Sequence, residues 1–134
     1  MIMKNLFSFF LQSARRRPDG VALKIRDREY RYGELLERAG RLASALDDSA
    51  RVVGVFAERS IDAYAGILSI LGSGKGYVPL NPRFPLSRTA TMVRLSGCRT
   101  IVVGQECLDK VEELLGILEE KPAVVVWRET PDAG

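Results

Sequence analysis

Apolar positions along the chain switch between a spacing of three to four and short consecutive or alternating runs, and each switch marks an element. Phe7, Phe10, Leu11 and Ala14 share one helical face, which Pro18, Asp19 and Gly20 bring to a stop. Residues 21–25 alternate as a strand, Arg26, Asp27 and Arg28 supply a turn, and residues 29–32 offer a second strand, so a hairpin is predicted. Leu35, Leu36, Ala39, Leu42, Ala43 and Leu46 then form a helical stripe, with Glu34, Glu37, Arg38 and Arg41 largely off it.

From residue 51 onward short β-rich runs alternate with helical ones. Residues 51–56 read as a buried strand, and Ser60 is placed to cap a helix through Leu71, with Asp62 in the first turn where the helix dipole favours an acid. Ile61, Tyr64, Ala65, Ile67, Leu68, Ile70 and Leu71 make that helix apolar nearly all round, which predicts deep burial. Residues 76–80 form a strand that Pro79 and Pro82 cut short, because proline cannot donate to a ladder. Ser87 is the candidate cap of the next helix, which Gly97 closes. Residues 100–103 follow as a strand, then a helix carrying Cys107, Leu108, Val111, Leu114, Leu115 and Leu118, then a last strand at 123–127. The remaining tail, with Thr130, Pro131 and Asp132, reads as a loop.

This alternation predicts an α/β fold: a mainly parallel sheet built by right-handed crossovers, helices on both faces, and a short N-terminal hairpin. Residues 1–134 are expected to be a single α/β unit. Open parallel sheets bind ligands beyond the carboxyl ends of their strands, so that edge is where a site is expected.

Composition narrows the function. The 46% hydrophobic content of the 134 residues is enough for a core. The 20 basic and 17 acidic side chains are dispersed, leaving +3 overall, so no nucleic-acid face is expected. Histidine is absent, which removes imidazole ligands and every Ser-His or Cys-His catalytic arrangement. Cys98 and Cys107 make neither a disulfide scaffold nor a zinc site, and a reduced, cytoplasmic setting is expected. The longest uncharged stretch, residues 63–74, is far short of the roughly 20 apolar residues that cross a bilayer, so no membrane association is expected. Lys4 and the apolar residues after it imitate a signal peptide, but Arg15, Arg16 and Arg17 stand where a small-residue cleavage site belongs.

Few residues offer chemistry of their own. Gly72, Ser73, Gly74, Lys75 and Gly76 imitate a phosphate loop, yet Ser69 and Gly76 occupy the places where that loop needs a glycine and a hydroxyl. The segment also leaves a helix C-terminus, whose dipole end is negative, so a glycine helix stop is the expected role. The pairs Asp47 with Asp48, Glu112 with Glu113 and Glu119 with Glu120 sit on polar helix faces or ends and read as solvated surface. Glu58, just before Arg59 and Ser60, reads as a capping or ion-pairing group. The two cysteines read as small buried hydrophobes. Residues 77–85, with three prolines after a strand, form a rigid loop that either lines a site or merely sets the chain direction.

These residues, in order, carry a resemblance. Phe10 to Asp19, residues 21–23, 27–35 and 58–60, then Ile67 to Leu71, Gly74, residues 76–80, Pro82, Phe84, Pro85, Arg88, Met92, Ser96 and Gly97 resemble the beginning of an adenylate-forming enzyme. The likeness is strongest to the amino-acid adenylation domains of nonribosomal peptide synthetases. The family's first signature resembles residues 32–35, with Arg31 where a threonine or serine is usual, so a hydroxyl helix cap is expected to be lost. Its second resembles residues 71–85, with Gly72, Ser73 and Gly74 for the common Lys-Ala-Gly, Asn81 for the usual aspartate, and Ser87 for a glutamate shortly after.

The resemblance implies a partial N-terminal subdomain of an ATP- and Mg2+-dependent ligase. Such an enzyme adenylates an amino acid or other carboxylate and passes it to the thiol of a carrier protein or CoA. The family's phosphate loop, its ATP and ribose motifs, its substrate pocket and its late catalytic lysine have no counterpart in these residues. The chain alone is therefore expected to bind no cofactor, to hold no catalytic residue and to be inactive, with the remainder of the domain as its partner. The loop with Asn81, Arg83 and Phe84 is expected to lie near the CoA or pantetheine arm. The alternative is a non-catalytic α/β module that pairs with another chain through an open sheet edge.

Overall fold

The computed structural model describes residues 6–127. Helix α1 (Leu6–Arg16) leads to a hairpin of β1 (Val21–Ile25) and β2 (Arg28–Arg31), followed by α2 (Tyr32–Ser44). Three strand–helix units come next: β3 (Val52–Phe56) with α3 (Ile61–Gly72), β4 (Gly76–Leu80) with α4 (Leu86–Ser96), and β5 (Thr100–Val103) with α5 (Leu108–Ile117). A single 3-10 turn, Gln105–Cys107, precedes α5, and β6 (Ala123–Val126) ends the described chain. The last four strands form one sheet in the order β4-β3-β5-β6, with every neighbouring pair parallel.

Strand alternation sends successive side chains to opposite faces, and both faces are covered. Val53, Val55 and Val102 point into a core completed by α2 and α3, with Phe7 and Phe10 of α1 and Tyr30 of the hairpin at its margin. Phe56, Ile101 and Val103 point the other way, into a core completed by Leu80, Val93, Val111 and Leu114. Fully burying a Phe, Leu or Ile contributes roughly 1.5–3 kcal/mol, so these two layers hold the molecule together.

Several expected boundaries move by a residue, Arg28 opening β2 instead of closing the turn, and two helix starts change in kind. Residue 32 opens α2 rather than ending a strand, because the turn before it supplies carbonyls for the helix: the Tyr32 amide donates to the Gly20 carbonyl at 3.0 Å and the Gly33 amide to Pro18 at 2.9 Å. Glu34 accepts the Arg31 amide at 3.2 Å, and the Arg31 guanidinium donates to the Asp19 carbonyl. These contacts take over the work of the missing hydroxyl cap. Ser87 is not a cap: Pro85 holds the N-cap position of α4, and Ser87 lies inside the helix with its carbonyl accepting from the Thr91 hydroxyl at 3.1 Å. Proline suits this place because its fixed φ is compatible with entry into the first turn.

The other caps form as expected. Ser60 accepts from the Ala63 amide at 3.3 Å, and Gly97 closes α4 in the left-handed region at φ 70°. The tail from residue 128 and the charged stretch at Lys4 lie outside the described residues.

Candidate functional site

The chain leaves β3 toward one side of the sheet to make β4, then returns past β3 to make β5. The strand order therefore reverses between β3 and β5, which is where open α/β sheets place a crevice beyond their carboxyl ends. Glu106 fills the head of that crevice. Its carboxylate accepts from the Glu58 amide at 2.8 Å and from the Ser60 hydroxyl at 3.4 Å, joining the loops after β3 and β5. A Cβ on Gly104 would fall 2.4 Å from a Glu106 carboxylate oxygen, so a side chain there would displace the carboxylate from this position. Beyond Glu106 the crevice opens into a cleft of about 1110 Å³ between residues 58–61 and the hairpin, with Lys24, Arg26, Asp27 and Arg28 on the hairpin wall and Arg83 at the rim.

The loop of residues 81–85 is built from its own groups. Asn81 Oδ1 accepts the Arg83 amide at 2.9 Å, and its carbonyl accepts the Phe84 amide at 3.1 Å. Asparagine serves in this turn as aspartate would, since either side chain offers the accepting oxygen. Lys110 Nζ donates to the Pro82 carbonyl at 3.0 Å, and the Arg88 guanidinium stacks 4.1 Å above the Phe84 ring. Of Asn81, Arg83 and Phe84, Arg83 is the one that lines the cleft, with its Nε 3.6 Å from the Glu58 carboxylate.

Other expectations resolve individually. Gly74 takes a left-handed turn at φ 75° after α3, and Lys75 Nζ donates to the carbonyls of Ala50 at 2.6 Å and Asp48 at 3.2 Å. The lysine is thus spent on the backbone at the amino edge of the sheet. Cys98 and Cys107 are both buried, and burial, reinforced by the nearby Glu106 charge, pushes the Cys107 thiol up to about 11. A thiol held neutral in this way is a poor nucleophile.

Sequence reasoning missed a second cluster beside the cleft. Arg38 of α2 pairs with Asp62 of α3 at 2.9 Å and stacks 4.6 Å over the Trp127 ring. The other Asp62 oxygen accepts the Gln105 amide at 3.3 Å, while the Gln105 side chain donates to the Trp127 carbonyl at 2.6 Å. Asp62 was legible only as a first-turn acid, and no local signal named Arg38, Gln105, Trp127 or Glu106.

Two features bear on ATP and Mg2+ among the described residues. The glycine-rich segment is a helix exit whose lysine is engaged, and among the described residues no group of three His, Cys, Asp or Glu side chains could hold a metal. No helix among them is long and apolar enough to cross a membrane.

The fold and the cleft together define a parallel α/β sheet covered on both faces, with a hairpin beside its carboxyl edge. A family model described as AMP-binding enzyme matches residues 10–133, and the chain belongs to that family. It is 32% identical over 115 residues to gramicidin S synthase 2 of Brevibacillus brevis, covering 83% of this chain and 3% of that protein. Among solved structures, IdnL7 is similar at 32% identity and TM-score 0.74, over 92% of this chain and 26% of that one. The nonribosomal peptide synthetase FmoA3, in its form with α-methyl-L-serine-AMP bound, aligns at 26% identity and TM-score 0.79, over 90% of this chain and 14% of that one. The chain thus spans a small part of these relatives' lengths.

Proposed function

We propose that these residues are the N-terminal subdomain of a ligase that adenylates an amino acid and hands it to the thiol of a carrier protein or CoA. The observation that supports this reading is the match of residues 10–133 to the AMP-binding family, with peptide synthetases among the relatives. In the reaction the carboxylate would attack the α-phosphorus of ATP, releasing pyrophosphate, and the thiol sulfur would then attack the acyl carbon, releasing AMP. Neither step uses a residue described above. The part played by residues 1–134 is scaffold: two apolar layers and a rigid edge against which the rest of the domain packs. The loop with Asn81, Arg83 and Phe84 is the portion that the pantetheine arm or CoA nucleotide would approach.

The competing reading, a non-catalytic pairing module, draws on the edge strands: β4 and β6 each have a partner on one side only among the described strands. Amino-acid-dependent exchange of pyrophosphate into ATP separates the two. The expected result is exchange by a polypeptide carrying the complete adenylation domain and none by the 134-residue chain. Exchange by the chain alone would overturn the scaffold role. Exchange by the complete domain with aryl or fatty acids but with no amino acid would overturn the substrate class.

A further inference from the structure

The cleft at the carboxyl edge of the sheet carries charge that the fold itself does not use. Of its acidic side chains, Glu58 faces Arg83 at 3.6 Å, and Glu106 is held by the Glu58 amide and the Ser60 hydroxyl. Asp27 is the one acidic group there left to solvent. Arg28 stacks 4.6 Å over the Tyr30 ring. The side chains of Lys24, Arg26 and Arg59 line the same cleft with no ion pair, hydrogen bond or ring contact among the described residues.

Arg26 adds an independent observation. The hairpin closes by pairing Ile25 with Arg28, leaving Arg26 and Asp27 as a two-residue turn. Arg26 sits at φ 58°, and it is the one non-glycine residue with positive φ among those described. Turns of this length place glycine, asparagine or aspartate at such a position, because a Cβ there costs on the order of 1 kcal/mol. In this conformation Arg26 lines the same cleft as Arg59, at the end of a parallel sheet where ligands bind.

We propose that this cleft binds a phosphate-class oxyanion with more than one negative charge, held by Arg26 and Lys24 on the hairpin and by Arg59 on the loop after β3. The inference does not depend on the adenylation reading. Guanidinium groups suit such a ligand because their planar donors match phosphate oxygens in pairs.

Calorimetric titration of the 134-residue chain with inorganic pyrophosphate, orthophosphate and ADP, at physiological salt, tests it. Pyrophosphate is expected to bind at one site and more tightly than orthophosphate. Arg26→Gly and Arg59→Gln are each expected to weaken it about tenfold, the loss of one charge-assisted contact. Arg26→Gly relaxes the turn, so its melting temperature should not fall, which separates loss of binding from loss of fold. Arg94→Gln, on α4 away from the cleft, should leave affinity unchanged. ADP binding as well as pyrophosphate would identify a nucleotide as the source of the phosphates, and pyrophosphate alone would identify the free ion. Absence of binding by both, equal affinity in the Arg26 and Arg59 variants, or tighter binding of a glutamate-rich peptide would overturn the proposal.

Discussion

The two faces of the sheet are held by different physics. The face under α4 and α5 is closed by apolar side chains, and its buried polar residue among those described, Thr89, is fully enclosed with its hydroxyl unpartnered. The face under α2 and α3 has an apolar layer of similar size, but at the carboxyl end of the sheet it also buries an ion pair. Arg38 and Asp62 are only 15% and 10% exposed, and their network reaches Gln105 and Trp127. Apolar packing is non-directional and tolerates many arrangements, whereas hydrogen-bonded charges hold only in one. The polar face therefore specifies how α2, α3, the turn after β5 and the end of β6 meet, while the apolar face mainly fills space.

The strongest way to break that contrast is to remove one partner of the ion pair. Asp62→Ala leaves the Arg38 guanidinium and the Gln105 amide without their acceptor, and is expected to cost about 3 kcal/mol in urea unfolding. Replacing both partners, as Arg38→Met with Asp62→Leu, should recover most of that loss, because well-packed apolar residues replace a buried pair at little net cost. Trp127 is the single tryptophan, so its emission would report the loosened contact in Asp62→Ala directly. A loss below about 0.5 kcal/mol would mean the pair behaves as a solvated surface bridge.

A smaller effect of opposite sign is expected on the other face. Thr89→Val keeps the shape and removes the unpaired hydroxyl, and should stabilise the chain by about 1 kcal/mol in the same measurement. Destabilisation would show that the hydroxyl has a partner in solution.

At neutral pH the smallest effect belongs to Cys107, whose contribution shows only as the pH rises. Cys107 has an ordinary thiol value of 9.0 that burial raises to about 11 in the folded chain. A raised value in the folded state means its contribution is fully present below pH 9.0 and is lost as pH climbs through about 11. Melting temperature in this alkaline window should fall more steeply in the parent than in Cys107→Ala. Parallel curves would show that the thiol is not desolvated.

Much of this architecture is legible locally. The buried strand read over residues 51–56 matches the observed Val52–Phe56, which sends Val53 and Val55 to one face and Phe56 to the other. Ser60 and Gly97 act as the caps their chemistry suggests. The start of α2 was not legible, because its first amides are satisfied by carbonyls of a turn a dozen residues earlier rather than by a side chain beside them. Arg83 was named as a candidate, but the cleft it enters is walled by a hairpin far from it in sequence.

By itself, the order of amino acids determined the succession of strands and helices, the parallel architecture and the family likeness, because side-chain periodicity, caps and breakers act within a few residues. Only the tertiary structure decided that Glu106 joins the loops after β3 and β5, that Arg38 lies between Asp62 and Trp127, and that Lys24, Arg26 and Arg59 face one cleft. Those meetings depend on crossover geometry, which brings distant residues together with no trace in the spacing between them.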